Sequence, residues 1–127
     1  MRTQKNNIGT GKASPRHKES KLQRSCVLWF RLQYPEYTLF AIPNGGYRNA
    51  AEAGILKAEG TLAGVADLFL MYPNKGYAGL FIEMKYGAGK QSPAQIAFQE
   101  KAQDKGYKYV VSDSLERFIL EINSYIR

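Results

Sequence analysis

Three charged side chains stand where the surrounding pattern asks for apolar ones. Asp67 interrupts Gly64-Val65-Ala66-Asp67-Leu68-Phe69-Leu70, and Glu83 and Lys85 interrupt Leu80-Phe81-Ile82-Glu83-Met84-Lys85. In a strand, residues i and i+2 share a face, so Glu83 and Lys85 point the same way. If the two strands pair, Asp67 approaches that face as well. A buried charge is expensive unless it is paired or coordinates a metal. Two carboxylates beside an ammonium suit a hard divalent cation held by oxygens, with the lysine near a water to be activated. The plain alternative is a buried ion-pair network, or charged strand ends in solvent. Glu-x-Lys alone favours that alternative, because the tripeptide is common on amphipathic strands. Asp67, sixteen positions upstream across a turn, is the tighter constraint. A helix follows at once and offers Gln95 near its N-terminus, where the dipole favours anions.

The elements that must carry these residues follow from caps, breakers and periodicity. Ser14-Pro15 reads as an N-cap and first helical residue, opening a helix to about Gln33 that stops before Pro35. Its apolar stripe is Leu22, Cys26, Trp29 and Phe30, with Glu19 on the inward side and Gln23 one turn later. A short strand over 37–42 breaks at the turn Pro43-Asn44-Gly45-Gly46. A helix over 50–59 ends at Gly60. Strands over 64–72 and 77–85 are joined by Pro73-Asn74-Lys75-Gly76 as a hairpin. Both are apolar on successive positions, which predicts central strands covered on two faces. After a glycine-rich loop containing Lys90, Ser92-Pro93-Ala94-Gln95 combines an N-cap, a proline and a capping-box glutamine. That helix runs to about Lys105. A strand over 107–111 follows, and Asp113 with Glu116 caps a last helix to about Tyr125. The order is α-β-α-β-β-α-β-α, an α/β single domain with a central mixed sheet flanked by helices.

Composition sets the frame around this cluster. At 127 residues the chain suits one domain, and 44% hydrophobic residues are enough for a core. One cysteine excludes an internal disulfide framework, and one histidine excludes zinc sites built on several imidazoles. No apolar run reaches the ~20 residues that span a bilayer, and the polar N-terminus lacks a signal-peptide pattern, so a cytoplasmic protein without a membrane partner is expected. Of the net charge of +7, residues 1–24 hold +6. Residues 1–13 read as a flexible basic arm. A near-neutral body with a basic arm suits a polyanion, since phosphate neutralisation releases counterions; a tail that only aids solubility is the bland reading. His17 reads as an exposed first-turn residue, Cys26 as core, and Tyr72, Tyr77 and Tyr109 as packing.

With these motifs in order, the chain resembles the PD-(D/E)xK nuclease superfamily, and within it the VRR-NUC family in its minimal stand-alone, phage-type form. The matching stretches are Ile42 to Gly46 with Arg48, Gly64 to Leu68, Ile82 to Lys85, and Ser92 to Phe98. One departure is Ala66, where the family often has proline before the metal-binding aspartate.

The resemblance implies a restriction-endonuclease-like core over 14–127 and a metal-dependent endodeoxyribonuclease. Asp67, Glu83 and the backbone carbonyl of Met84 would ligate Mg2+ or Mn2+. Lys85 would orient and help deprotonate the attacking water, and Gln95 would hold the lysine, the water or a phosphate oxygen. Glu19 would reach a second metal or a water, supported by Gln23; a surface carboxylate pairing with Lys18 or Lys21 remains open. Asn44, Gly45, Gly46 and Arg48, with Lys90, Arg16 and Lys18, are candidate phosphate contacts. Branched DNA such as a Holliday junction is the implied substrate, a homodimer the implied state, and a bacterial or phage-infected cell the implied setting. The second function class is a non-catalytic nucleic-acid-binding module with the same fold. RNA as a substrate also stays open.

Overall fold

A computed structural model describes residues 14–43 and 49–127. Among these residues, four helices and four strands follow in the order α1 (Pro15–Gln33), β1 (Leu39–Ala41), α2 (Ala50–Ala58), β2 (Leu68–Leu70), β3 (Leu80–Met84), α3 (Pro93–Asp104), β4 (Lys108–Ser112) and α4 (Leu115–Ile126). The expected order holds throughout. The sheet runs β1-β2-β3-β4, antiparallel across the first two pairings and parallel at β3–β4. The parallel step requires a crossover, and α3 supplies it. No helix among the described residues is long and apolar enough to cross a membrane.

Helix starts fall where the caps dictate. Ser14 accepts a hydrogen bond from the His17 N–H, and Ser92 and Gln95 close a reciprocal capping box. The last helix differs by one position: Ser114, not Asp113, is its N-cap, accepting from the Arg117 N–H. Both residue types can cap, and here the serine has the extended backbone that a cap needs.

The strands are shorter than apolar runs suggest. β2 begins only at Leu68, because Gly64 has φ +88° and the chain reaches the sheet through an irregular approach. Residues 77–79 are likewise outside β3. Tyr77 instead bridges Asn74 across a tight hairpin, in which Lys75 (φ 53°) and Gly76 (φ 84°) both take the left-handed backbone.

Alternation along the strands makes two unlike faces. One presents Leu39, Leu68, Leu70, Leu80, Ile82, Met84 and Val110 to Cys26 and Phe30 of α1, to Tyr34 at its C-terminal cap and to Phe118, Ile122 and Tyr125 of α4. Fully burying a side chain of this kind contributes about 1.5–3 kcal/mol. Tyr34 and Tyr125 enter this core because their hydroxyls find acceptors, Asn123 Oδ1 at 2.5 Å and the Tyr72 carbonyl at 2.6 Å. The opposite face carries the cross-strand row Phe40, Phe69, Phe81 and Tyr109, covered by Phe98 of α3 and by Tyr107. Glu83 lies on this second face, beside the aromatic row.

Candidate active site

The register that pairs Leu68 with Ile82 brings Asp67 directly across from Glu83. Asp67 Oδ2 accepts the Met84 N–H at 2.7 Å, so the side chain replaces the ladder bond that the short β2 does not make. A strand residue's N–H and C=O leave the chain on the same edge, so the Met84 carbonyl opens toward Asp67. Glu83 is 2% exposed. Its Oε2 accepts from Gln95 Nε2 at 2.8 Å and lies 3.8 Å from Lys85 Nζ. Gln95 Oε1 also accepts the Ser92 N–H at 2.8 Å, so one side chain caps α3 and holds the glutamate. The other carboxylate oxygen, Glu83 Oε1, is buried with no hydrogen-bond partner among the described residues.

The electrostatics follow from this crowding. Burial pushes the Glu83 carboxyl up to about 8, and the neighbouring Asp67 carboxylate pushes the same way, against a smaller pull from Lys85. Burial also raises Asp67, opposed by the Met84 N–H and the charges of Lys85 and Arg16. Two carboxyls this close share a proton at neutral pH.

The remaining candidates surround the pair. Glu19, Gln23 and Arg16 line a cleft of about 540 Å³ with Asp67 and Met84. Glu19 Oε2 accepts the Tyr86 N–H at 3.4 Å, and its charge reaches Glu83. Lys18 Nζ lies 5.1 Å from the Tyr86 ring centroid. Lys90 is exposed in the loop before α3, and His17 is exposed on the first turn of α1. Among the described residues, no three or more His, Cys, Asp or Glu side chains form a metal cage. Asn44, Gly45, Gly46 and Arg48 lie outside the described residues, as does the basic arm of 1–13.

Two residues that the sequence pattern does not single out prove important to the geometry. Tyr86 is one; the only hint of it is an aromatic directly after the lysine. Gly64 is the other. A Cβ there would meet Ala94 O at 2.4 Å, so the first turn of α3, which carries Gln95, seats on a bare backbone. Gly64→Ala is expected to lose about 2–4 kcal/mol through left-handed strain and overpacking. Equilibrium urea unfolding checks this, with Gly54→Ala as control, because a Cβ at Gly54 meets nothing.

Comparison with known proteins agrees with the fold. No protein-family model matches the chain, and no curated protein matches it. A solved structure described as a "VRR_NUC domain protein" shares 26% sequence identity, covers 91% of this chain and 91% of its own, and superposes with a TM-score of 0.73. This chain and a VRR_NUC domain protein are thus similar in their α/β core along nearly the whole length of both chains.

Proposed function

We propose that the protein is an endonuclease that hydrolyses DNA phosphodiester bonds with Mg2+ or Mn2+, acting on branched or junction DNA as a homodimer. The observation that carries this reading is Glu83: a carboxylate sealed from water, one oxygen without a partner, and a second carboxylate directly opposite. A protein that needed only an ion pair here would leave no such oxygen. The donor set fits a hard cation of the kind that takes one or two carboxylates and completes its shell with water and substrate phosphate. Asp67, Glu83 and the Met84 carbonyl would hold it, and when bound it would supply positive charge to the phosphate and make a water more acidic.

The chain's own groups account for the rest. Gln95 fixes Glu83 Oε2, so the carboxylate cannot swing away. Lys85, with a side chain 14% exposed, keeps its ammonium against Glu83 and can donate to a phosphate oxygen as negative charge builds there. Water attacks phosphorus and gives up a proton to the surrounding solvent as the P–O bond forms, the bridging P–O bond breaks, and the departing oxygen takes up a proton from solvent. Glu19, steadied by Gln23, would orient water at the mouth of the cleft. Arg16, Lys18 and Lys90, with Asn44, Gly45, Gly46, Arg48 and the arm of 1–13, would bind the sugar-phosphate backbone, which favours recognition of shape over sequence. In the dimer, two sites would address two strands.

The test is cleavage of labelled four-way junction, flap and linear duplex, with Mg2+, Mn2+ or chelator. Cuts in branched DNA that need the metal and vanish in Asp67→Asn, with binding retained, are the expected result. Binding without cleavage under any divalent ion would mean a non-catalytic module.

A further inference from the structure

We propose that Tyr86 is a stacking platform for an unpaired nucleobase beside the scissile phosphate, an inference that rests on the nuclease reading of Asp67, Glu83 and Lys85. Side chains alternate along the end of β3. Lys85 therefore turns toward the α3 side and Tyr86 toward α1. Tyr86 is 44% exposed, and its ring packs on no other aromatic ring among the described residues. The other tyrosines that the sequence places in or near strands behave differently. Tyr109 is buried, Tyr72 packs edge-on against Tyr37, and Tyr77 leans on Tyr125 at the far end of the hairpin.

The surroundings of Tyr86 have the chemistry of a nucleotide. Lys18 Nζ stands 5.1 Å from the ring centroid, and Glu19 pins the Tyr86 backbone N–H. A second cleft of about 530 Å³ joins the ring to Lys18, Lys21 and Arg24 on α1. An aromatic face takes a base of any sequence, and the ammonium and guanidinium groups take the phosphate attached to it. Glu19 both lines the cleft of Asp67 and Met84 and accepts the Tyr86 N–H, so a base on the ring would belong to a nucleotide close to the one at the catalytic cluster. In an intact duplex each base is already stacked and paired. A flap, a frayed end or the open centre of a junction offers one to the ring without the cost of unstacking and unpairing it. Tyr86 would thus select substrates by a local single-stranded nucleotide, without reading sequence.

The experiment uses 2-aminopurine placed at successive positions in the unpaired arm of a flap, with Ca2+ or chelator so that binding is read without cleavage. Wild-type protein is expected to change the fluorescence at one position beside the cut. Tyr86→Ala and Tyr86→Leu should lose that signal and bind the flap roughly tenfold more weakly, the scale of one lost base stack. Both should bind fully paired duplex as wild type does, and raise KM more than they lower kcat. Tyr86→Phe should keep the signal. The leucine variant retains bulk without a π-face, so a fold defect in the alanine variant would not blur the result. Equal losses on flap and duplex, or an unchanged signal in Tyr86→Leu, would overturn the proposal. Failure of the nuclease reading looks different: the stacking signal would persist while no substrate is cut under any divalent ion.

Discussion

Glu83→Gln is expected to make the protein more stable and catalytically dead in one step. The buried Oε1 has no donor near it, and Asp67 faces it from the next strand. An amide keeps the shape, still accepts from Gln95, and can donate to Asp67 where the carboxylates must share a proton. Leaving a buried acceptor unpaired costs about 1–3 kcal/mol, so the variant should melt several degrees higher. The pH dependence gives the sign. Glu83 is raised from its ordinary value of 4.5 to about 8 in the fold, so the native state binds the proton more tightly than the unfolded chain. Its stabilising effect is fully present below about pH 4.5 and is lost as pH rises through about 8. The advantage of glutamine should therefore be small at pH 5 and largest near pH 8, measured by thermal melts without divalent ions. Cleavage should fall by roughly a thousandfold or more, since the charge proposed to hold the cation is gone. A variant that melts lower, or that still cuts, contradicts the account.

Lys85→Ala should separate chemistry from binding. The ammonium sits 3.8 Å from Glu83 Oε2 and makes no hydrogen bond with another element among the described residues, so the protein should stay folded. Loss of a positioned proton donor typically lowers rate by about 10²–10⁴-fold. DNA affinity should change little, because residues 1–24 hold +6 of the net charge of +7. Small primary ammonium ions in the buffer should restore part of the rate by occupying the vacated position. Single-turnover cleavage with and without added methylamine measures this. An undiminished rate would leave Lys85 as a counter-ion to Glu83 and nothing more.

Much of this arrangement is legible in the chain because local rules agree with the fold. Ser14-Pro15 and Ser92-Pro93 mark their helix starts, and the continuous apolar run from Leu80 to Ile82 announces the central strand. The Asp67–Glu83 pairing is legible too, since two acids in apolar runs across a hairpin have few other places to go. What the sequence conceals is long-range. Nothing local says that Asp67 substitutes a carboxylate for a ladder bond and so ends β2 at Leu68. Nothing local says that Gly64 is bare because Ala94, thirty residues on, presses against it. The final cap shows a subtler limit: Asp113 and Ser114 are both competent, and tertiary backbone geometry selects the serine. Gln95 carries two roles, of which only the capping one is written in its neighbourhood.

The claim beneath all of this is that Asp67 and Glu83 jointly form a divalent-cation site, and calorimetric titration with Mn2+ tests it most directly. At pH 7, in two buffers of different ionisation enthalpy, wild-type protein should take up the ion and release a proton as the shared one is displaced. Asp67→Asn should show neither the uptake nor the proton. Equal heats from the wild type and Asp67→Asn, or none from either, would contradict the account.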